Sequence, residues 1–176
     1  ASIVVANNPS DDTAEAVAKF IASHPTLNIH YCFEPQQGLS HARNAGIEQS
    51  KGDIIAFIDD DERIVPNFIE AYIQLFDSYA DAMAAGGKII AEYPTGRPQW
   101  MSHYTERPIA NPMDFGDYIT PFPKGRIPGG GNMAIRREVF DKIGMFDTSL
   151  GRTGKRLIGG EESDLFERLQ IAEAKY

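Results

Sequence analysis

Two runs of acids carry the side chains best suited to chemistry in this chain. The first closes "IIAFIDDDERI", Ile54 to Ile64, where an apolar stretch ends in Asp59, Asp60, Asp61 and Glu62. Adjacent carboxylates repel one another unless a cation, a hydrogen-bond donor or water relieves them. A hard divalent ion, Mg2+ or Mn2+, would do so, because it prefers carboxylate oxygen and keeps positions open for a substrate's phosphate oxygens. The plainer account is a solvated turn ahead of a helix with Pro66 at its first position. On this stretch alone the two accounts stand level. The second run is "GGEESDLFERL", in which Glu161 and Glu162 open an amphipathic helix directly after Gly159 and Gly160. A helix start stabilises an ionised carboxylate but also lowers its basicity, so compensating burial of Glu162 against Leu157 or Ile158 is expected. Between the two runs lies a glycine turn, Gly129, Gly130, Gly131 and Asn132, whose backbone can approach a ligand closely.

Elements of regular structure must position these groups. The apolar run before Asp59 predicts a strand buried on both faces, which puts the acids at its carboxyl end, where open α/β sheets bind ligands. Ser2 to Ala6 predicts another buried strand. The loop "NNPSDDT" follows it, with Asp11, Asp12 and Thr13 able to cap a helix bearing Val17, Phe20 and Ile21. His24 and Pro25 end that helix, and Asn28 to Phe33 predicts a second strand. A helix then runs from near Gly38 to before Gly52. Another runs from Pro66 to about Tyr79 and would bury Phe68, Ile69, Tyr72, Ile73 and Phe76, and "AAGGKIIAEY" predicts a strand after it. This alternation implies a doubly wound α/β fold, a mostly parallel sheet with helices on both faces. From Pro94 to Pro128 prolines and isolated aromatics show no sustained period, which fits a functional lid or a segment wrapped on the core. A short strand and helix follow the glycine turn.

Bulk properties exclude several classes of function. With 176 residues, 42% of them hydrophobic, the chain is long enough for one domain with a substantial core. Its formal charge is −8, and no run of Lys and Arg exceeds the pair Arg136 and Arg137, so nucleic acid is not an expected partner. The single cysteine, Cys32, cannot form an internal disulfide; it is assigned to the core, and a reducing, cytosolic setting fits. No apolar run reaches membrane-spanning length and no signal peptide is visible. His24, His30, His41 and His103 are scattered, as surface or helix-capping residues would be.

With these residues in place, the chain resembles the family-2 glycosyltransferases, inverting enzymes of the GT-A (Rossmann-like) fold that use nucleotide-sugar donors. Four segments carry the resemblance in order: "IVVANNPSDDT", "GLSHARNAGI" running into "KGDIIAFIDDDERIVPNFI", "GGGNMAIRREVFDKIGMFD", and "GGEESDLFERL". The resemblance implies a single catalytic domain over 1–176, incomplete at both ends, with residues 1–91 as the nucleotide-binding half and 92–176 as the donor-sugar and acceptor half. It places Asn7 and Arg43 on the nucleotide side together with Asp59 and Asp60. Ala6 stands where the family usually has an acid. Asp61, the last acid of the DxD motif, is implied as the metal ligand. Gly130, Gly131, Asn132 and Glu161 are implied on the sugar and acceptor side. Glu162 matches the general base, with Glu in place of the commoner Asp, and Asp164 supports the helix start.

The chemistry so implied is a single displacement at the anomeric carbon, aided by Mg2+ or Mn2+, with inversion of configuration. The implied partners are a nucleotide-sugar, UDP-linked by default, and a saccharide or lipid-linked acceptor, in bacterial-type polysaccharide or glycolipid synthesis. The implied location is cytoplasmic, with the inner face of the membrane and peripheral association through missing segments left open. Two other readings compete. A nucleotidyltransferase would want a basic, glycine-rich phosphate loop near its start, where "NNPSDDT" is acidic. A non-catalytic nucleotide-sugar-binding domain would bind donor without turnover.

Overall fold

The computed structural model describes residues 1–7, 11–154 and 159–176. Helix and strand alternate in the first half as the hydrophobic pattern predicts: β1 (Ser2–Asn7), α1 (Thr13–Ser23), β2 (Ile29–Glu34), α2 (Leu39–Gln49), β3 (Ile54–Phe57), α3 (Phe68–Ser78) and β4 (Ala84–Gly86). The second half adds α4 (His103–Ala110), β5 (Met133–Arg136), α5 (Arg137–Ile143) and α6 (Glu161–Ile171). The chain divides into two compact units, Ala1–Ile55 with Arg136–Ala174, and Ala56–Ile135 with Lys175–Tyr176.

In the first unit β1 and β2 pair in parallel, from Ser2 opposite Ile29 to Asn7 opposite Glu34, and α2 packs on β1. Only Ala6 of β1 is fully buried, not the whole strand as expected; among the described residues β1 pairs with β2 alone. Cys32 on β2 is likewise half-buried rather than in the core, and burial, followed by the charges of Glu34 and Glu48, pushes its thiol up. Helix α1 buries no residue fully. Its Phe20 is exposed and stacks on His24, 4.2 Å away, and the His24 ring meets the Phe20 carbonyl at the helix end.

The core of this unit is α6. Leu165, Phe166 and Leu169 have no exposure and share the interior with Val139 and Phe140 of α5 and with Phe146. Each such side chain contributes about 1.5–3 kcal/mol by leaving water. Two arginines tie the helix ends together by satisfying carbonyls that a helix terminus leaves unpaired. Arg137 donates to the carbonyls of Gly52 and Ile47 and to the Ser50 hydroxyl, closing the end of α2. Arg168 of α6 donates to the carbonyls of Ile143, Gly144 and Met145, closing the end of α5.

A three-stranded sheet has the order β3-β5-β4, with β4 antiparallel to β5. Along β3 only Ile55 is fully buried, because β3 lies at the edge of that sheet rather than in its middle. The strand expected over "AAGGKIIAEY" is confined to Ala84–Gly86, followed by a single bridge between Ile89 and Met113. Helix α3 starts at Phe68 behind Asn67, so Pro66 precedes it rather than opening it. It buries Phe68, Tyr72 and Phe76, a narrow stripe at four-residue spacing, while Ile69 and Ile73, one position further round, stay exposed.

Helix α4 is the element that periodicity does not reveal. It buries only Glu106, so it has no apolar stripe, and it carries Pro108. Its local signal is a reciprocal cap between Ser102 and Thr105, and Asn111 closes it in the left-handed conformation. Glu106 is held by Arg97 at 2.8 Å and by the Tyr93 hydroxyl, which fixes α4 to the chain that precedes it.

Candidate functional site

The expected site residues fall into two groups, one in each unit. In the first unit the geometry starts at Gly160, whose φ of 109° lies where a side chain would be strained, and which turns the chain into α6. Glu161 and Glu162 therefore begin the helix. Facing them is α2, whose Ser40, Arg43 and Asn44 share a face at helical spacing. The Arg43 guanidinium, 6% exposed, places Nη1 at 2.8 Å from Glu162 Oε1 and 3.2 Å from Glu161 Oε1. It also lies over the Phe146 ring, 5.3 Å from its centre. Asn44 fixes that ring by a reciprocal pair: its Nδ2 donates to the Phe146 carbonyl at 2.9 Å and its Oδ1 accepts from the Phe146 N–H at 3.0 Å. The Ser40 hydroxyl donates to the Leu150 carbonyl.

The two glutamates differ in access. The Glu161 side chain is 3% exposed and that of Glu162 is 20% exposed. Burial pushes the Glu161 carboxyl above its usual range and the Glu162 carboxylate adds to that, while a backbone hydrogen bond and Arg43 pull the other way. Glu161 Oε2 is buried without a partner among the described residues. Asp164 is committed to Arg168, which reaches it through Nε and Nη2 at 3.0 and 2.7 Å. Leu157 and Ile158, expected to bury Glu162, lie outside the described residues.

Asn7 stands at the end of β1, and its side chain is engaged with its own unit. Nδ2 donates to the carbonyls of Glu34 and Gln36, and Oδ1 accepts from the Gly38 N–H at 2.7 Å. It thus shapes the turn into α2. Sequence reasoning placed Asn7 and Arg43 on the nucleotide side, and their polar groups are held by these protein partners. It missed Asn44 and Phe146, although Asn44 adjoins Arg43 in "HARNAG".

In the second unit Asp59, Asp60 and Asp61 follow β3, with Asp60 and Asp61 exposed. The Glu62 N–H donates to the Asp59 carbonyl and closes the turn. Burial pushes the Glu62 carboxyl up, and Asp59 and Asp61 push it further in the same direction. That carboxylate occupies the space beside Gly131, where a Cβ would come within 2.3 Å of Oε1. The glycine turn thus allows a close approach, and the group that approaches is Glu62, named in the sequence as the last acid of the run but given no role there. Asn132 ends the turn with its Oδ1 accepting from the Tyr72 hydroxyl at 2.6 Å and its Nδ2 donating to the Lys88 carbonyl at 3.0 Å. Tyr72, expected only as a buried residue of the helix, is a further group that the sequence reading gave no part in the site; burial followed by the Glu62 charge pushes its phenol far up, so it stays a donor. Gly130 lies half-buried between the buried Gly129 and Gly131.

Crowded carboxylate oxygens are the donors a hard divalent ion takes. Among the described residues no three His, Cys, Asp or Glu side chains converge as a ready-made metal group.

Comparison with known proteins adds the missing context. The sequence model described as "Glycosyl transferase family 2" matches residues 2–144. Among curated relatives, a glucosyl-dolichyl phosphate glucuronosyltransferase of Haloferax volcanii is 28% identical over 148 residues, covering 80% of this chain and 44% of the relative. The succinoglycan biosynthesis protein ExoM of Rhizobium meliloti is 28% identical over 173 residues, covering 97% and 51%. The chain spans about half the length of the curated relatives it matches. Among solved structures, the mannosyltransferase PcManGT of Pyrobaculum calidifontis, in complex with GDP-Man and Mn2+, aligns with a TM-score of 0.66 at 19% identity, covering 98% of this chain and 43% of that one. TarS of S. aureus aligns at 0.60 and 18% identity, covering 85% and 42%. These likenesses show the GT-A type α/β fold.

Proposed function

The chain belongs to glycosyl transferase family 2, and from that premise we propose that it transfers a sugar, with inversion, from a nucleotide-sugar donor to an acceptor hydroxyl, with Glu162 as the base. The observation that carries this reading is the asymmetry at the start of α6. Of its two leading acids, Glu162 alone keeps a substantially accessible carboxylate, 20% exposed against 3% for Glu161. A base must reach the proton it removes.

Each group of residues has a share in the reaction. Glu162 accepts the acceptor's proton as that oxygen attacks the anomeric carbon. Asp59 and Asp60 take the nucleotide side of the donor, and Asp61, exposed and crowded by its neighbours, takes the metal. When bound, Mg2+ or Mn2+ supplies positive charge against the departing diphosphate. Gly130, Gly131 and Asn132 form the turn on the sugar side, held in shape by Tyr72 and Glu62. Asn7 contributes by fixing the turn into α2. The mannosyltransferase with GDP-Man and Mn2+ supports a nucleoside diphosphate donor with a divalent ion, leaving UDP and GDP both to be tested. The relatives acting on a dolichyl phosphate sugar and in succinoglycan synthesis support a lipid-linked or saccharide acceptor. Among the described residues no helix is long and apolar enough to cross a membrane.

A chelator-sensitive transfer assay on the full-length protein tests the proposal. Turnover that is lost on chelation and restored by Mn2+ supports it. Metal-dependent donor binding with no turnover would replace it with a binding module.

A further inference from the structure

We infer that Arg43 is a positioning residue for Glu162, and that Glu161 holds the proton that lets one guanidinium serve two adjacent carboxyl groups. This rests on the reading of Glu162 as the base and adds how the base is aimed. Three observations carry it. First, a single nitrogen, Arg43 Nη1, lies within 3.2 Å of both Glu161 and Glu162 and closer to Glu162. Second, the guanidinium has little freedom to turn elsewhere: it is 6% exposed and lies over Phe146, which Asn44 locks by two backbone hydrogen bonds. Third, Glu161 is almost fully buried, and its Oε2 has no partner among the described residues.

Two ionised carboxylates beside one cation would leave a buried negative charge. Burying an uncompensated charge is costly, and a group so placed neutralises instead. A proton on Glu161 removes that charge. It also leaves Arg43 matched to Glu162, the more accessible of the two. Among the described residues, the charged groups that face Glu161 are Arg43 from α2 and Glu162 from its own helix. The segment after α5 presents Phe146, the Leu150 carbonyl and Gly151, while its Asp147 is exposed and accepts from the Ser149 N–H. One turn along α6, Asp164 is already paired with Arg168. Arg43 therefore acts through Glu162 rather than on the donor diphosphate.

The test uses the full-length protein with its glutamate side-chain carboxyls isotopically labelled for a magnetic-resonance pH titration. Glu161→Gln and Glu162→Gln assign the two signals. The Glu161 signal is expected to titrate above the ordinary glutamates, to fall towards them in Glu162→Gln, and to rise further in Arg43→Met, since each change removes one neighbouring charge. Stability should follow the same sign. A carboxyl raised in the folded state gives stability that is fully present below its unfolded value and is lost as pH rises through the folded one. Wild-type melting temperature should therefore drop across that window, and Glu161→Gln should flatten the drop. Calorimetry with GDP or UDP and Mn2+ gives the second readout: Arg43→Met should leave nucleotide affinity near wild type. If Arg43→Met does not fold, Arg43→Lys, which keeps the charge but loses the planar fork, should lower kcat with donor KM unchanged. An ordinary Glu161 titration would overturn the proposal. So would a loss of nucleotide affinity of about tenfold or more in either arginine variant, 1.4 kcal/mol by the affinity relation. A Glu162→Gln enzyme that still transfers sugar would instead overturn the base assignment, and the titration would stand apart from it.

Discussion

The two units treat charge in opposite ways. In the first, three arginines are matched within the unit: Arg43 to two glutamates and an aromatic face, Arg137 to carbonyls at the end of α2, and Arg168 to Asp164 and to carbonyls at the end of α5. In the second, four acids run in sequence from Asp59 to Glu62, and the carboxyl of Glu62 is raised by its acidic neighbours after burial. The first arrangement makes a rigid mount, since paired charges and capped helix ends leave little to rearrange. The second leaves negative potential that a bound cation would relieve. On the proposed function the first arrangement holds the base Glu162 in place and the second offers carboxylates to a ligand, although all are charged and all sit in motifs of the same family.

Mutations can break or sharpen that contrast. The largest expected effect is on turnover: Glu162→Gln in the full-length enzyme should lower transfer by roughly 10² to 10⁴, the usual cost of removing a positioned base, while its melting temperature and donor affinity stay close to wild type. Retained transfer would move the base elsewhere. Next is the mount itself. Phe166→Ala removes a fully buried ring from the core of the first unit, and chemical denaturation should show a loss of about 3–5 kcal/mol. A loss under about 1 kcal/mol, the range of surface changes, would mean α6 is not the centre of that unit. The smallest effect separates the two stripes of α3. Ile73→Ser lies on the exposed stripe, so denaturant midpoints should shift by no more than about 0.5 kcal/mol, whereas the same helix should respond strongly at Phe76.

How much of this was legible in the sequence depended on which force set each feature. Local chemistry was readable. The acids after an apolar run, the glycine before Glu161 and the alternation of strand and helix through β4 depend on neighbours in sequence, and they stand where the pattern predicts. Burial was less readable. Ile69 and Ile73 carry the same apolar signal as Tyr72 and Phe76, and only tertiary packing decides which stripe is covered. The same holds for β1 and β3, whose apolar runs suit a central strand while each has one neighbouring strand here. Helix α4 escaped because the usual signal, an apolar period, is absent and a proline interrupts it. In the candidate site, types and positions were legible but partners were not. Arginine in "HARNAG" suits an anion of any kind, and nothing in the sequence says that the anions are Glu161 and Glu162, more than a hundred residues away.

On this account Arg43, Arg137 and Arg168 serve structure and positioning, Arg43 by aiming the proposed base Glu162, while the acids after β3 are proposed to take a metal and a nucleotide. The most direct measurement is calorimetric titration of the full-length protein with GDP and UDP, with and without Mn2+, in wild type and Asp61→Asn. The account predicts that Mn2+ strengthens nucleotide binding in wild type and that Asp61→Asn removes most of that gain while leaving metal-free binding nearly unchanged. Equal loss in both conditions, or no effect of Mn2+ in wild type, would contradict it and make Asp61 part of a structural turn.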